Sequence, residues 1–282
     1  MRADFITSPI QQVATNLWKG LIWFAIGFFI VNVFGLIAAV VVNSFATRWL
    51  GTWLPAGFTW QWYSSAWTEF QLDSVPIVTV EVVLAVVAIS LLIGVPAAYA
   101  LARRDFRFKQ AVLLLFVLPL LVPPITYGIP LATVLYRVHL AGTIVGVILA
   151  NLVPTVPFVV LVMTPFVEQI DPRLEDAAHV FDAGTLRLFV YVLLPLLSPG
   201  ILAAGLLVLV RTIAMFELTF LTAGPDSQTL VVALYYSVFS AGIRAGQSVD
   251  AMAVVYMATT LVWLLIALRF VNPTQLVTRV KE

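Results

Sequence analysis

Six apolar runs, at residues 20–45, 77–101, 111–135, 142–167, 189–221 and 251–271, occupy well over half of this 282-residue chain. Each reaches the about 20 residues that an α-helix needs to cross a bilayer. Lipid offers no hydrogen bonds to the backbone, so runs of this kind are driven into helices. The reading is an all-α membrane protein with six transmembrane helices. Its spanning region is residues 20–271, with an N-terminal segment 1–19 and a tail 272–282. A content of 62% apolar and 10% charged residues excludes an ordinary soluble domain. The absence of cysteine removes disulfides, thiolate chemistry and iron–sulfur ligation. His139 and His179 fall in different loops, and no metal site is expected. The first run begins only after Lys19, is too long for a signal peptide, and lacks a small-x-small cleavage pattern. It is therefore expected to remain as a helix.

Basic residues orient the chain. With the N-terminus inside, Arg2, Lys19, Arg103, Arg104, Arg107, Lys109, Arg173, Arg187, Arg269, Arg279 and Lys281 lie on the cytoplasmic side. Arg48, Arg137 and Arg244 lie outside, and Arg211 sits within a helix. Eleven against three is a strong positive-inside bias. The expected location is a bacterial plasma (inner) membrane, crossed several times, with both termini cytoplasmic.

Several stretches depart from plain spanning sequence. The external segment 48–76 carries Trp49, Trp53, Trp60, Trp62, Tyr63 and Trp67, which suit either headgroup anchoring or a grip on an external protein. In the third run Pro119, Pro123 and Pro124 should break or kink the helix, as a pathway-lining bend or as a packed kink. The fourth run repeats the theme with Pro154 and Pro157, and also holds the weak packing pattern Gly142-x-x-x-Gly146. The fifth run carries Arg211 and Glu217. Ionisable groups there need a partner or water, so they mark either an interhelical ion pair or a solute pathway. Thr222–Thr229 reads as an external turn, followed by an amphipathic stretch with Tyr235, Tyr236 and Phe239.

The most informative segment lies between the fourth and fifth runs, and is acidic: Glu168, Asp171, Glu175, Asp176 and Asp182. It predicts a short helix over about 172–183. Asp171 is the cap, Pro172 takes the first position, and Glu175 and Asp176 lie near the positive end of the dipole. Gly184 is expected just past the C-terminus. Leu174, Ala177, Ala178 and Phe181 form a narrow apolar stripe, and the two alanines would let it lie deep in a groove. The other reading is a surface helix packed on its own subunit.

Two motifs carry a resemblance. Asp176-Ala177-Ala178, followed at fixed spacing by Val192-x-Leu194-Pro195, resembles the coupling-loop signature of permease subunits in binding-protein-dependent ABC importers. Asp176 stands for the usual Glu, and Asp182 stands where Gly is expected. The run Gly94-Val95-Pro96-Ala97-Ala98-Tyr99-Ala100-Leu101-Ala102-Arg103 is similar to a second stretch of that family. The resemblance, which covers roughly 62–270, implies the maltose-type ABC permease fold, with a cytoplasmic coupling helix between helices 4 and 5. The proline-rich third run looks most like the spermidine/putrescine-like branch. By resemblance, Glu175, Asp176, Ala177, Ala178, Phe181, Asp182 and Gly184 would contact an ATPase. Arg211, Glu217, Pro123 and Pro124 would be candidates for the translocation pathway. The implied partners are a second permease subunit, homologous or identical, two cytoplasmic ATPase subunits, an external solute-binding protein and the bilayer; no nucleic acid is expected.

No catalytic residue is expected. The three lysines, Lys19, Lys109 and Lys281, never follow a glycine, so the Gly-Lys-Ser/Thr nucleotide motif is missing. ATP and magnesium would belong to partner ATPase subunits, and this chain would bind no cofactor. The expected cargo is a small polar organic solute, polyamine-like or sugar. Glu217 and Glu81 suit a cation, Arg211 an anion, and the aromatics a neutral sugar. An ATP-independent secondary transporter is the alternative, and would require inverted repeats. An integral membrane enzyme would need convergent polar groups near one membrane face. In intact cells, cysteines introduced near Phe106 and Ala183 are expected to resist an impermeant thiol reagent, and one in the 222–229 turn to react. The reverse pattern would overturn the topology.

Overall fold

The computed structural model describes residues 9–49, 51–182, 184–239 and 245–270. Arg2, Arg244, Arg279, Lys281, the expected tail 272–282 and Ala183 lie outside them, as does the side chain of His179. The elements are α1 (Pro9–Phe45), α2 (Gln61–Glu69), α3 (Val75–Arg103), α4 (Lys109–Leu121), α5 (Pro124–Arg137), α6 (Ile144–Glu168) and α7 (Arg173–Val180). Then come α8 (Thr185–Leu188), α9 (Leu194–Ile213), α10 (Glu217–Thr222), α11 (Leu230–Phe239) and α12 (Gly246–Phe270). Five helical spans are long and apolar enough to cross a membrane, and a sixth arises if α4 and α5, bent by 100°, count as one.

The helices α3 and α6 form the spine, with α9 packed on both. Val82, Val86, Val95 and Ala98 of α3 meet Val147, Val159, Val160 and Met163 of α6, and Leu197, Ala204 and Val208 of α9 join them. Lipid tails are as apolar as these side chains, so close packing holds the helices together. Gly94 sets the approach: a Cβ there would lie 2.5 Å from Val159 Cγ1. Pro154, Pro157 and Pro165 all lie inside α6, yet the helix runs through them. Dense contact with α3 offsets the backbone hydrogen bond that each proline removes. By contrast α1, which meets α12, is exposed along residues 16–39. Its 37 residues span about 55 Å, more than the hydrocarbon thickness.

Two expected spans are broken. Run 111–135 splits at Val122–Pro123 into α4 and α5. Neither Pro123 nor Pro124 has an N–H, so the break leaves fewer orphaned donors than any other sequence would. Run 189–221 was expected as one helix, but it stops at Ile213 and resumes at Glu217. Its start also differs: α8 passes through a π turn, Phe189–Leu193, into α9. Pro195, in the first turn of α9, cannot donate, and the wider turn lets the chain continue past it.

The Gly142-x-x-x-Gly146 pattern does not pack two spanning helices. Gly142 takes a left-handed φ of +82° in the turn before α6, where its N–H donates to Thr222 O at 2.8 Å. Thr143 caps α6, accepting from the Gly146 N–H at 3.1 Å. The aromatic segment 48–76 divides: Trp62 Nε1 donates to Ala46 O at 2.7 Å, while Trp53 and Trp60 are exposed.

Gly94→Ala should overpack the spine and lower stability by roughly 1–3 kcal/mol. A reduced midpoint in thermal unfolding of the solubilised protein checks this, and adding Val159→Ala should recover part of the loss.

Candidate coupling surface and solute pathway

Asp171 Oδ1 accepts the Arg173 N–H at 2.9 Å and starts α7, as its place before Pro172 predicts. The apolar stripe expected on this helix is divided between two faces. Ala178 packs against the spine of its own chain. Glu175 also turns inward. Its Oε2 accepts from the Tyr99 hydroxyl at 2.6 Å, and its Oε1 pairs with Arg103 Nε at 2.6 Å. Glu175 and Ala178 thus contact their own chain, unlike the other members of the expected set. Leu174, Asp176, Ala177 and Phe181 remain exposed, and Val180 joins them; Phe181 and Val180 are 86% and 84% exposed. Sequence periodicity missed Val180 because the true outward face is rotated from the expected one.

Gly184 is also reassigned. It has an extended backbone at φ −63°, ψ 160° and precedes α8. The left-handed residue after α7 is Asp182, with φ +56°. Among non-glycine residues, Asp and Asn tolerate this region best. The position at which the coupling signature expects glycine is therefore the one that turns the chain. Asp182→Gly should hold or raise stability, whereas Asp182→Val should cost about 1–2 kcal/mol, because a β-branched residue clashes there. Faster limited proteolysis of the 181–187 loop in the Val variant, and not in the Gly variant, checks this.

The second constellation lies where the broken helices meet. Pro123 and Pro124 open α5, and Glu217 opens α10, which packs on α5. Contact is close: a Cβ on Gly128 would lie 2.8 Å from Leu221 Cδ1. Arg211 occupies the last turn of α9 and Glu217 the first residue of α10. Each charge thus has the sign that suits its helix end. The structure places them on opposite sides of a break, and they form no ion pair with each other. The Arg211 guanidinium stacks over the Phe158 ring at 5.1 Å. The Tyr127 hydroxyl on α5 is buried and has no hydrogen-bond partner. Nearby, buried Asn151 donates to Thr219 Oγ1 at 3.2 Å, while its own Oδ1 is unpartnered. Sequence reading missed Tyr127 and Asn151, since a lone Tyr or Asn in an apolar run gives no signal.

Aromatic rings continue outward from the break. Phe216, at the start of α10, lies 4.7 Å from Tyr235 and 5.1 Å from Phe220, and Tyr235 lies 4.3 Å from Phe239. Glu81 is exposed on α3. Among the described residues no group of three His, Asp or Glu side chains gathers to hold a metal.

Residues 90–281 match the family described as the binding-protein-dependent transport system inner membrane component. The chain is 31% identical over 195 residues to an ABC transporter permease protein of Streptomyces antibioticus, covering 69% of this chain and 84% of that one. It is 29% identical over 184 residues to the sulfoquinovosyl glycerol transport system permease protein SmoH of Agrobacterium fabrum, covering 65% of each. The fold matches a chain of a bacterial ABC transporter involved in alginate import with a TM-score of 0.73 and 14% identity, over 92% of this chain and 98% of that one. The six-run, all-helical architecture and the coupling signature thus meet in one assignment: the chain belongs to the binding-protein-dependent family of inner-membrane transport components, as a multi-pass permease subunit of an ABC importer.

Proposed function

We propose that this permease transmits ATP-driven motion through α7 and passes a small polar organic solute beside the breaks at 122–124 and 214–216. The observation that carries the coupling reading is the exposed face of α7. Leu174, Asp176, Ala177, Val180 and Phe181 point away from the chain on a helix whose opposite side is pinned to it. An exposed apolar patch at a membrane protein's polar end suits a protein groove. Two cytoplasmic ATPase subunits bind ATP and magnesium, one seated on this helix and the other on a second permease subunit. Both termini then lie in the cytoplasm.

The pathway reading rests on two broken spans whose helices α5 and α10 pack together. Interrupted helices tolerate their free backbone groups only against protein or a wet cavity. Arg211 and Glu217 flank one break, and Pro123 and Pro124 form the other. Of polyamine and sugar, sugar is the better fit. Arg211 repels a polycation from the neighbourhood of Glu217, while Tyr127, Asn151 and the Phe216–Tyr235 rings offer hydrogen bonds and flat apolar faces. At the opposite end from α7, a groove of about 280 Å³ lies between the α2–α3 turn and the 225–228 turn, lined by Glu69, Gln71, Gln228 and Tyr236. It is a fitting seat for a lobe of the solute-binding protein.

Ala177→Trp adds bulk to the docking face, and is expected to leave membrane insertion intact and to abolish co-purification with the ATPase. Unchanged co-purification would remove α7 from the interface. Glu217→Gln is expected to cut uptake by about tenfold or more at equal assembly. Unchanged uptake across solute concentrations would make Glu217 a structural residue.

A further inference from the structure

The run Gly94–Arg103 carries a family resemblance, and the structure shows what two of its side chains grip. Tyr99 and Arg103 are four residues apart, so they share one face at the end of α3. Both reach Glu175 of α7, at 2.6 Å each. Arg103 Nη2 also donates to Ile170 O, in the turn that follows α6. The Tyr99 ring packs edge-on against Phe189 of the π turn, at 6.1 Å. The Arg103 and Glu175 side chains are only 15% and 13% exposed. One cluster thus joins the ends of α3 and α6, the body of α7 and the start of the α9 span. At the other end of the same motif, Gly94 seats α3 against Val159 of α6.

We propose that Tyr99, Arg103 and Glu175 are positioning residues that make α7 and the α3–α6 spine move as one body, so that a displacement of α7 is delivered to the transmembrane helices. This rests on α7 being the ATPase seat and goes beyond it by naming the joint. An eight-residue helix hung between two loops would otherwise swing on its own termini. Charge-assisted hydrogen bonds of fixed geometry, shielded from water, resist that rotation. The coordination is directional as well as strong. Arg103 holds Glu175 from the α3 side while also holding the α6 turn, so α7 is fixed relative to two spanning helices.

The test uses the complete importer, this permease with its second permease subunit and ATPase subunits, in proteoliposomes. The chain has no native cysteine, so spin labels can be placed at Arg173→Cys on α7, outside the docking face, and Leu92→Cys on α3, both exposed. Their distance is measured without nucleotide and after trapping with ATP and vanadate. In the parent the distance distribution is expected to stay the same in both states. In Glu175→Gln it should broaden, and shift on trapping, while the ATPase subunits remain bound. The swap Arg103→Glu with Glu175→Arg should narrow it again, and Tyr99→Phe should give a smaller broadening. A parent distance that changes on trapping would overturn the proposal, as would a Glu175→Gln distribution identical to the parent. Loss of the ATPase subunits from Glu175→Gln at unchanged distance would also overturn it, making Glu175 a docking residue. Failure of the parent chain itself to hold the ATPase subunits would instead strike at the coupling reading.

Discussion

A bilayer gives an unpaired backbone group nothing to bond with, and this molecule is arranged around the places where its helices nevertheless stop. The spine of α3 and α6 is uninterrupted, even though α6 contains three prolines. Among the described residues the expected spans break between α4 and α5 and between α9 and α10, and α5 packs directly on α10. Each break is made tolerable differently. The first uses two residues with no N–H to strand. The second brackets itself with Arg211 and Glu217, whose charges suit the helix ends they occupy. The two broken spans meet through α5 and α10, while α3 and α6 run unbroken beside them. This is a suitable division between a passage for a polar solute and a frame that moves.

Much of this was legible in the sequence. The six runs announce themselves because a spanning helix leaves no freedom of composition. Pro123-Pro124 signals its break because proline acts locally. The break at 214–216 was not legible. Ala214, Met215 and Phe216 carry no breaker, and only the fold shows the interruption, with Phe216 packed on Tyr235 of α11. Pro154 and Pro157 act in the opposite direction: local chemistry favours a break, yet α6 continues through both where it packs on α3.

The acidic segment shows the same limit at finer scale. Its cap, its length and its acidic first turn follow from Asp171, Pro172, Glu175 and Asp176 and were readable. Which face points outward was not. Ala177 and Ala178 are alike by composition, and only the partners of Glu175, 72 and 76 residues away in sequence, fix the rotation. Once Glu175 is drawn to Tyr99 and Arg103, Ala178 must turn inward and Phe181 and Val180 outward. The same rotation assigns Asp182 to the left-handed turn and leaves Gly184 merely extended.

On this reading α7 meets the ATPase with its Phe181 face while its Glu175 face stays on the permease. A photo-reactive amino acid placed at Phe181, and separately at Ala178, in the assembled importer tests it most directly. The expected result is a crosslink from position 181 to the ATPase subunit and from position 178 only to helices of the same chain. Capture of the ATPase from position 178, or of lipid alone from position 181, would rule this arrangement out.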